Sequence, residues 1–172
     1  MVLAAVVLAI HCTGAPASPI TEPQAKASLL FNLAAFVQWP QSVLAAGDRL
    51  TICVAGDSDV LAALRQFEGR DMDGHAVTSR AIVRDEETAG CHVLFVSGTG
   101  DRFSLVQRVA DRPVMTVGDG PDFARQGGAL RVFFEQSRLK FEINTMTVER
   151  TRLRLSSKML CLARLVRTGN EI

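Results

Sequence analysis

The chain has 172 residues, 48% of them hydrophobic and 22% charged, which is the usage of an ordinary globular domain and excludes disorder, collagen and a cysteine-packed miniature scaffold. Its 19 Lys plus Arg almost balance 18 Asp plus Glu, a formal net charge of +1, so it lacks the positive field of a dedicated nucleic-acid binder. With 6% aromatic residues, no Tyr and one Trp, it also offers few platforms for stacking single-stranded bases.

Residues 1–19 contain no Asp, Glu, Lys or Arg. Met1 to Ile10 is almost wholly aliphatic but too short to span a bilayer, which takes roughly 20 residues. The run fits the apolar region of a secretory signal, with Ala15-Pro16-Ala17 as the small-residue box before cleavage at Ser18. The expectation is a signal peptide over residues 1–17 and a single exported domain over 18–172, soluble in the periplasm. Two features depart from the usual signal: no Lys or Arg follows Met1, and Ala9-Ile10-His11 before Cys12 is not a lipoprotein box. A lipid anchor and a buried N-terminal element stay open as alternatives.

Thr21 is placed to cap a helix running to about Val37, with Leu29, Leu33, Phe36 and Val37 on one face; Trp39-Pro40 ends it. Closure of this helix against a sheet is the expected role of Phe36 and Trp39, with an exposed anchor as the alternative. A strand–turn–helix rhythm follows. Leu50–Ala55 reads as a buried strand, then Gly56-Asp57-Ser58-Asp59 and a helix through Leu64. Residues 75–83 alternate as a strand behind the Asp73-Gly74 turn. Strand 92–97 leads to Gly98-Thr99-Gly100-Asp101 and a helix near 102–110, and strand 113–118 leads to Gly118-Asp119-Gly120-Pro121-Asp122 and a short helix at 122–126. Strands that are continuously apolar and alternate with helices indicate a mostly parallel sheet covered on both faces. Residues 129–134 and 139–144, joined by Glu135-Gln136-Ser137-Arg138, form a hairpin, and helices are expected near 145–151 and 156–167. The fold class is α/β: a three-layer sandwich with a mostly parallel mixed sheet, helices on both faces and a C-terminal antiparallel hairpin.

Export leaves Cys53, Cys91 and Cys161 in the mature chain. Cys53 and Cys91 stand on apolar segments, 38 positions apart, that read as buried strands of one sheet, so in an oxidising compartment a Cys53–Cys91 disulfide is the favoured reading. Two reduced core thiols are the alternative if the chain is not exported. Cys161, on the apolar face of the last helix, reads as a small buried hydrophobe.

The glycine turns fall outside the carboxyl ends of the strands, where open parallel sheets bind ligands. None completes G-x-G-x-x-G, since Phe103 stands at its last position, and no Walker lysine is present. Asp57, Asp59, Asp101 and Asp119 could converge on Mg²⁺, but each also sits where a helix cap or first-turn acid belongs, and capping is the weightier reading. Cys91 and His92 are adjacent on a strand and so point to opposite faces, which removes them as a nucleophile and base. No serine elbow and no paired histidines for zinc appear. No catalytic residue, cofactor or metal is expected. In residues 149–167, Arg150, Arg152, Arg154, Lys158, Arg164 and Arg167 face Glu149 alone. A solvated polar face explains such a run most simply; a surface for an acidic partner or anionic lipid is the functional alternative, with Arg150, Arg152, Arg154 and Lys158 as candidates.

Six segments then resemble one family in the right order. They are Ser28–Pro40, ending in Trp39-Pro40; the two cysteine strands Ile52–Gly56 and Cys91–Ser97; Val114–Asp119 with Phe123–Gly128; Phe141–Asn144; and Leu155–Leu160. The chain resembles YfiR-like proteins over about residues 25–166. The resemblance implies a non-enzymatic periplasmic regulator that binds the extracytoplasmic sensory domain of a membrane diguanylate cyclase of YfiN type and represses it. An outer-membrane lipoprotein of YfiB type would relieve repression by sequestering the regulator, and a homodimer is a further expectation. A second cysteine pair near the C-terminal hairpin is missing, since residues 92–160 contain no Cys, so redox sensing is not implied by the resemblance here. The alternative function is a periplasmic small-molecule-binding module, its crevice at the glycine turns, reporting to a membrane transporter or sensor kinase.

Overall fold

The computed structural model describes residues 19–98 and 102–167, with the side chains of residues 85 and 86 excepted. The expected leader and Asp101 lie outside the described residues. Helix α1 (Glu22–Ala34) starts from a capping box: the Gln24 N–H donates to Thr21 Oγ1, and the Thr21 N–H donates to Gln24 Oε1 at 2.9 Å. Its inner side buries Ala27, Leu30, Phe31, Leu33 and Ala34. Strand β1 (Val37–Gln38) follows and pairs antiparallel with β9 (Arg154–Leu155) in a separate two-stranded ribbon.

The main sheet has eight strands in the order β10-β8-β7-β6-β5-β2-β4-β3. At its centre are β2 (Leu50–Ala55), β5 (Val93–Val96) and β6 (Met115–Gly118), flanked by β4 (His75–Ala81) and β7 (Leu130–Glu135), all parallel to their neighbours in this run. The central three are buried on both faces, which is why they read as unbroken apolar runs. The register sets Ile52 beside Val93 and Val93 beside Met115 on one face, and Cys53 beside Leu94 on the other. The first face is covered by α1, by α2 (Ser58–Leu64) and by Val148 of α4 (Thr145–Arg150) and Met159 of α5 (Ser157–Leu162). The second is covered by Leu105 and Val106 of α3 (Phe103–Arg108), together with Val109 and Phe123. Leu94 and Phe95, neighbours in sequence, are wholly buried on opposite faces, each worth about 2–3 kcal/mol of burial. The three layers thus have two separate cores.

Both antiparallel additions depend on tight turns with left-handed backbone. Short strand β3 (Asp71–Met72) joins β4 through Asp73 (φ 51°) and Gly74 (φ 86°). Strand β8 (Arg138–Asn144) joins β7 through Gln136 (φ 50°) and Ser137 (φ 60°). Two successive positive φ values make a turn whose twist matches that of the flanking strands.

Three expectations are corrected. The C-terminal helix expected over 156–167 stops at Leu162; Ala163 is extended, and Arg164–Val166 form β10, parallel to β8. The apolar spacing resembled a helix, but the open edge of β8 satisfies this backbone, and Arg164 reaches Glu142 on that edge at 3.2 Å. Cys161, within α5, is exposed instead of buried. The short helix expected at 122–126 is a run of turns, because Asp122 (φ 60°) and Gly127 (φ 111°) take left-handed backbone.

Candidate functional site

Residues of possible function gather at three places: the amino-terminal edge of the sheet, its carboxyl-terminal edge, and the C-terminal segment after β8.

At the amino-terminal edge a disulfide joins Cys53 of β2 to Cys91, just before β5, with Cα atoms 5.8 Å apart. Both residues are buried, and an Arg80 Nη2 lies 3.5 Å from Cys91 Sγ while donating to the Ala89 carbonyl at 2.6 Å. His92 shares nothing with this bond. Its Nδ1 accepts the Thr51 N–H at 3.0 Å, which places the ring proton on Nε2, 3.2 Å from the Val43 carbonyl oxygen. Trp39 completes the arrangement: its indole N–H donates to the His92 carbonyl at 3.3 Å, and the two rings meet edge to face. The loop after α1 is thereby clasped to the sheet. Burial holds the His92 imidazole below its usual pKa, His75 acting in the same direction and the Val43 carbonyl and Asp48 against it. Cys91 and His92 are thus a covalent staple and a neutral hydrogen-bonding clasp, in separate surroundings. Phe36 is half-exposed, and Trp39 is the aromatic residue that closes the end of the helix.

At the carboxyl-terminal edge the acidic turns take different tasks. Asp57 caps α2, accepting the N–H groups of Asp59 and Val60 at 3.0 and 2.9 Å. Asp119 does not cap a helix. It accepts the Gly98 N–H at 2.7 Å, lies 3.3 Å from Ser97 Oγ, and pairs with Lys26 of α1 at 2.7 Å. Burial pushes the Asp119 carboxyl up, but Lys26, the Gly98 N–H and Ser97 together hold it below the usual carboxylate range. Burial likewise pushes Lys26 down, and its bonds to Asp119 and Glu22 outweigh this and hold it above its usual value. Among the described residues no group of three or more His, Cys, Asp or Glu stands together as metal ligands. Beside these turns the Arg102 side chain lies across Gly56: a Cβ on that glycine, whose φ is +90°, would fall 2.9 Å from Arg102 Nε. Neither Lys26 nor Arg102 stood out in the sequence. A lysine on the apolar side of a helix was the available sign of the first; the second depends wholly on how the turns converge.

In the C-terminal segment Arg150, Arg152, Arg154 and Lys158 are all exposed. Arg150 Nε donates to the Ala110 carbonyl at 3.2 Å and lies 3.7 Å from Asp111, while Arg152 sits at a left-handed position (φ 59°). Arg164 belongs to another group. It joins Arg131 around the buried Glu142 of β8, at 3.2 and 3.5 Å, and both guanidiniums lie over the Phe133 ring at 5.3 and 4.6 Å. The strand register places Arg131, Glu142 and Arg164 side by side across β7, β8 and β10, so this cluster locks the last strand in place. Leu162 and Leu165, 75% and 51% exposed, leave an apolar surface beside the basic one.

Among the described residues no helix is long and apolar enough to cross a membrane. Among curated proteins none matches the sequence. One similar solved structure is an ABC domain in complex with L-Trp from Streptococcus pneumonia, at 14% identity and a TM-score of 0.53. The likeness covers 84% of this chain and 60% of that protein, so it speaks for the fold alone. The pattern of the YfiR/HmsC-like proteins matches residues 23–164, from the first turn of α1 to the start of β10. Such a match spans both cores, the disulfide and the basic segment, and the chain belongs to the YfiR/HmsC-like family of periplasmic regulators.

Proposed function

We propose that this protein is a non-enzymatic periplasmic repressor that binds the extracytoplasmic sensory domain of a membrane diguanylate cyclase of YfiN type and so lowers cyclic-di-GMP. The family match over residues 23–164 is the observation that carries this reading. The docking surface is the C-terminal segment, where Arg152, Arg154 and Lys158 are exposed and Leu162 and Leu165 leave apolar area uncovered. Apolar anchors beside a basic field suit an acidic partner surface: the charges steer encounter and set orientation, and the desolvated leucines hold the complex. Release by an outer-membrane lipoprotein of YfiB type follows if the lipoprotein competes for the same surface.

The test is cellular cyclic-di-GMP in a deletion strain, complemented with the wild-type gene or with Cys53→Ser. A rise on deletion that the wild type reverses supports the reading, and failure of Cys53→Ser to reverse it makes repression dependent on the disulfide. An unchanged cyclic-di-GMP level, with the protein present in the periplasm, overturns it.

A further inference from the structure

We propose that the crevice outside the carboxyl ends of β2, β5 and β6 binds a small organic carboxylate, its anionic end on Arg102 and its apolar body against Phe103, Pro121 and Phe123. The chain runs outward from β2 to β4, then returns across β2 to β5. The connections leave these two neighbours in opposite directions, and in open α/β sheets that reversal opens a crevice between the adjoining loops. Arg102 lies over it, against the backbone of Gly56, where a Cβ would fall 2.9 Å from Arg102 Nε.

The electrostatics call for an anion. Among the described acids of the adjoining turns, Asp57 is committed to the backbone of α2, Asp119 to Lys26, Gly98 and Ser97, and Asp122 lies 3.8 Å from Arg125. Among the described residues no carboxylate pairs with Arg102, whose exposed side chain lines the crevice. A guanidinium fork matches a carboxylate with two parallel hydrogen bonds.

The walls call for an apolar body. Arg102 is shared by two cavities, of about 370 Å³ toward Asp57 and Ile82 and about 240 Å³ toward Phe103, Pro121 and Phe123. The second has an aromatic wall built in advance. Phe103 meets Phe123 edge to face at 6.0 Å, and the Phe123 ring is buried against Gly118 and Gly128, where a methyl group on either glycine would collide with it. Gln126 adds one amide to the lining. A bare oxyanion would leave this wall unused. At 240 Å³ the cavity is below the roughly 300–1,000 Å³ usual for drug-sized ligands, which limits the body to a single ring or a short branched chain.

The test uses the exported protein with its disulfide intact and four probes: phenylacetate, 3-methylbutanoate, phenylacetamide and inorganic phosphate. Amide ¹H–¹⁵N spectra are recorded through each titration. The expected result is saturable shifts at Gly56, Gly98, Arg102 and Gly120 with the two carboxylates, and binding about tenfold weaker or less for the neutral amide and for phosphate. Arg102→Gln weakens phenylacetate about tenfold, and Phe103→Ala weakens phenylacetate more than 3-methylbutanoate. The proposal is overturned by the absence of saturable shifts with both carboxylates at millimolar concentration, by equal binding of phenylacetamide, or by preference for phosphate. The comparison of probes on the wild-type protein stands even if a variant fails to fold. Binding is read without any partner, so its failure leaves repression of the cyclase untouched, and failure of repression leaves the site untouched.

Discussion

Lys26 Nζ lies 2.7 Å from Asp119 Oδ2, and this mostly buried pair ties the first helix to the end of β6 across 93 positions of sequence. Both ions have left water, so the pair holds only as long as both partners are present. Asp119→Ala strands an ammonium that is 9% exposed, with Glu22 as its remaining carboxylate. The expected loss is about 2–4 kcal/mol by chemical denaturation. Asp119 is depressed in the fold, so its contribution is complete above the unfolded value near about pH 4 and is lost as pH falls through the folded value. Lys26 is raised, so its contribution is complete below about pH 10 and is lost as pH rises through its folded value. Wild type therefore loses stability on both sides of this plateau, and Asp119→Ala shows shallower acid and alkaline limbs. Limbs of unchanged steepness in the variant would count against the pair.

The Cys53–Cys91 bond closes a loop of 38 positions, which on the chain-entropy account contributes about 4 kcal/mol. Reduction, or the double change Cys53→Ser with Cys91→Ser, should lower Tm by about 8–16 °C for a domain of this size. Calorimetry with and without a thiol reductant measures this directly. A change of only a degree or two would show that the core alone holds β2 against β5.

His92 gives a second dependence on pH, of a different kind. Its Nδ1 must stay unprotonated to accept the Thr51 N–H, and a second ring proton would set donor against donor. Because the folded pKa is lowered, the unfolded chain takes up the proton first as pH falls past about 6.5, and stability declines from there down to the folded value. His75 and Asp48, the titratable groups acting on it, pull in opposite directions. Trp39 is the one tryptophan of the chain and touches His92, so its fluorescence reports the event. The expected outcome is a fall in Tm between pH 7 and 5, with a matching tryptophan transition, both weakened in His92→Gln. Identical pH profiles for the two proteins would dispose of the clasp.

The triple change Arg152→Glu, Arg154→Glu and Lys158→Glu reverses the exposed basic surface without touching either core. Stability should move by only about 0.5 kcal/mol per site, as for surface substitutions in general. Repression should fail, raising cyclic-di-GMP toward the level of the deletion strain. A stable, exported triple variant that still represses fully would place the partner on another surface.

Much of the architecture was legible because its signals are local. The cap at Thr21, the cap at Asp57, the apolar runs of β2, β5 and β6, and the turn residues before β4 and between β7 and β8 each act within a few positions. The cysteine pairing was legible too, because Cys53 falls on β2 and Cys91 just before β5, neighbours that a parallel sheet places side by side. The C-terminus was not. Leu160, Ala163, Leu165 and Val166 carry a spacing compatible with a helix, and what decides otherwise is the vacant edge of β8 with Glu142 waiting on it, which no local pattern contains. The role of Asp119 was hidden for the same reason. A cap and an ion-pair partner have the same local sequence, and only the approach of α1 to the carboxyl end of β6 chooses between them. By itself the sequence determined the central strands, the capped starts of α1 and α2, the hairpin and to which family the chain belongs, because backbone propensity, capping and apolar periodicity act over short distances. Only the tertiary structure decided which charges meet and what lines the crevice, since Lys26 and Asp119, Arg102 and Gly56, and Arg131, Glu142 and Arg164 are brought together by packing that no segment specifies alone.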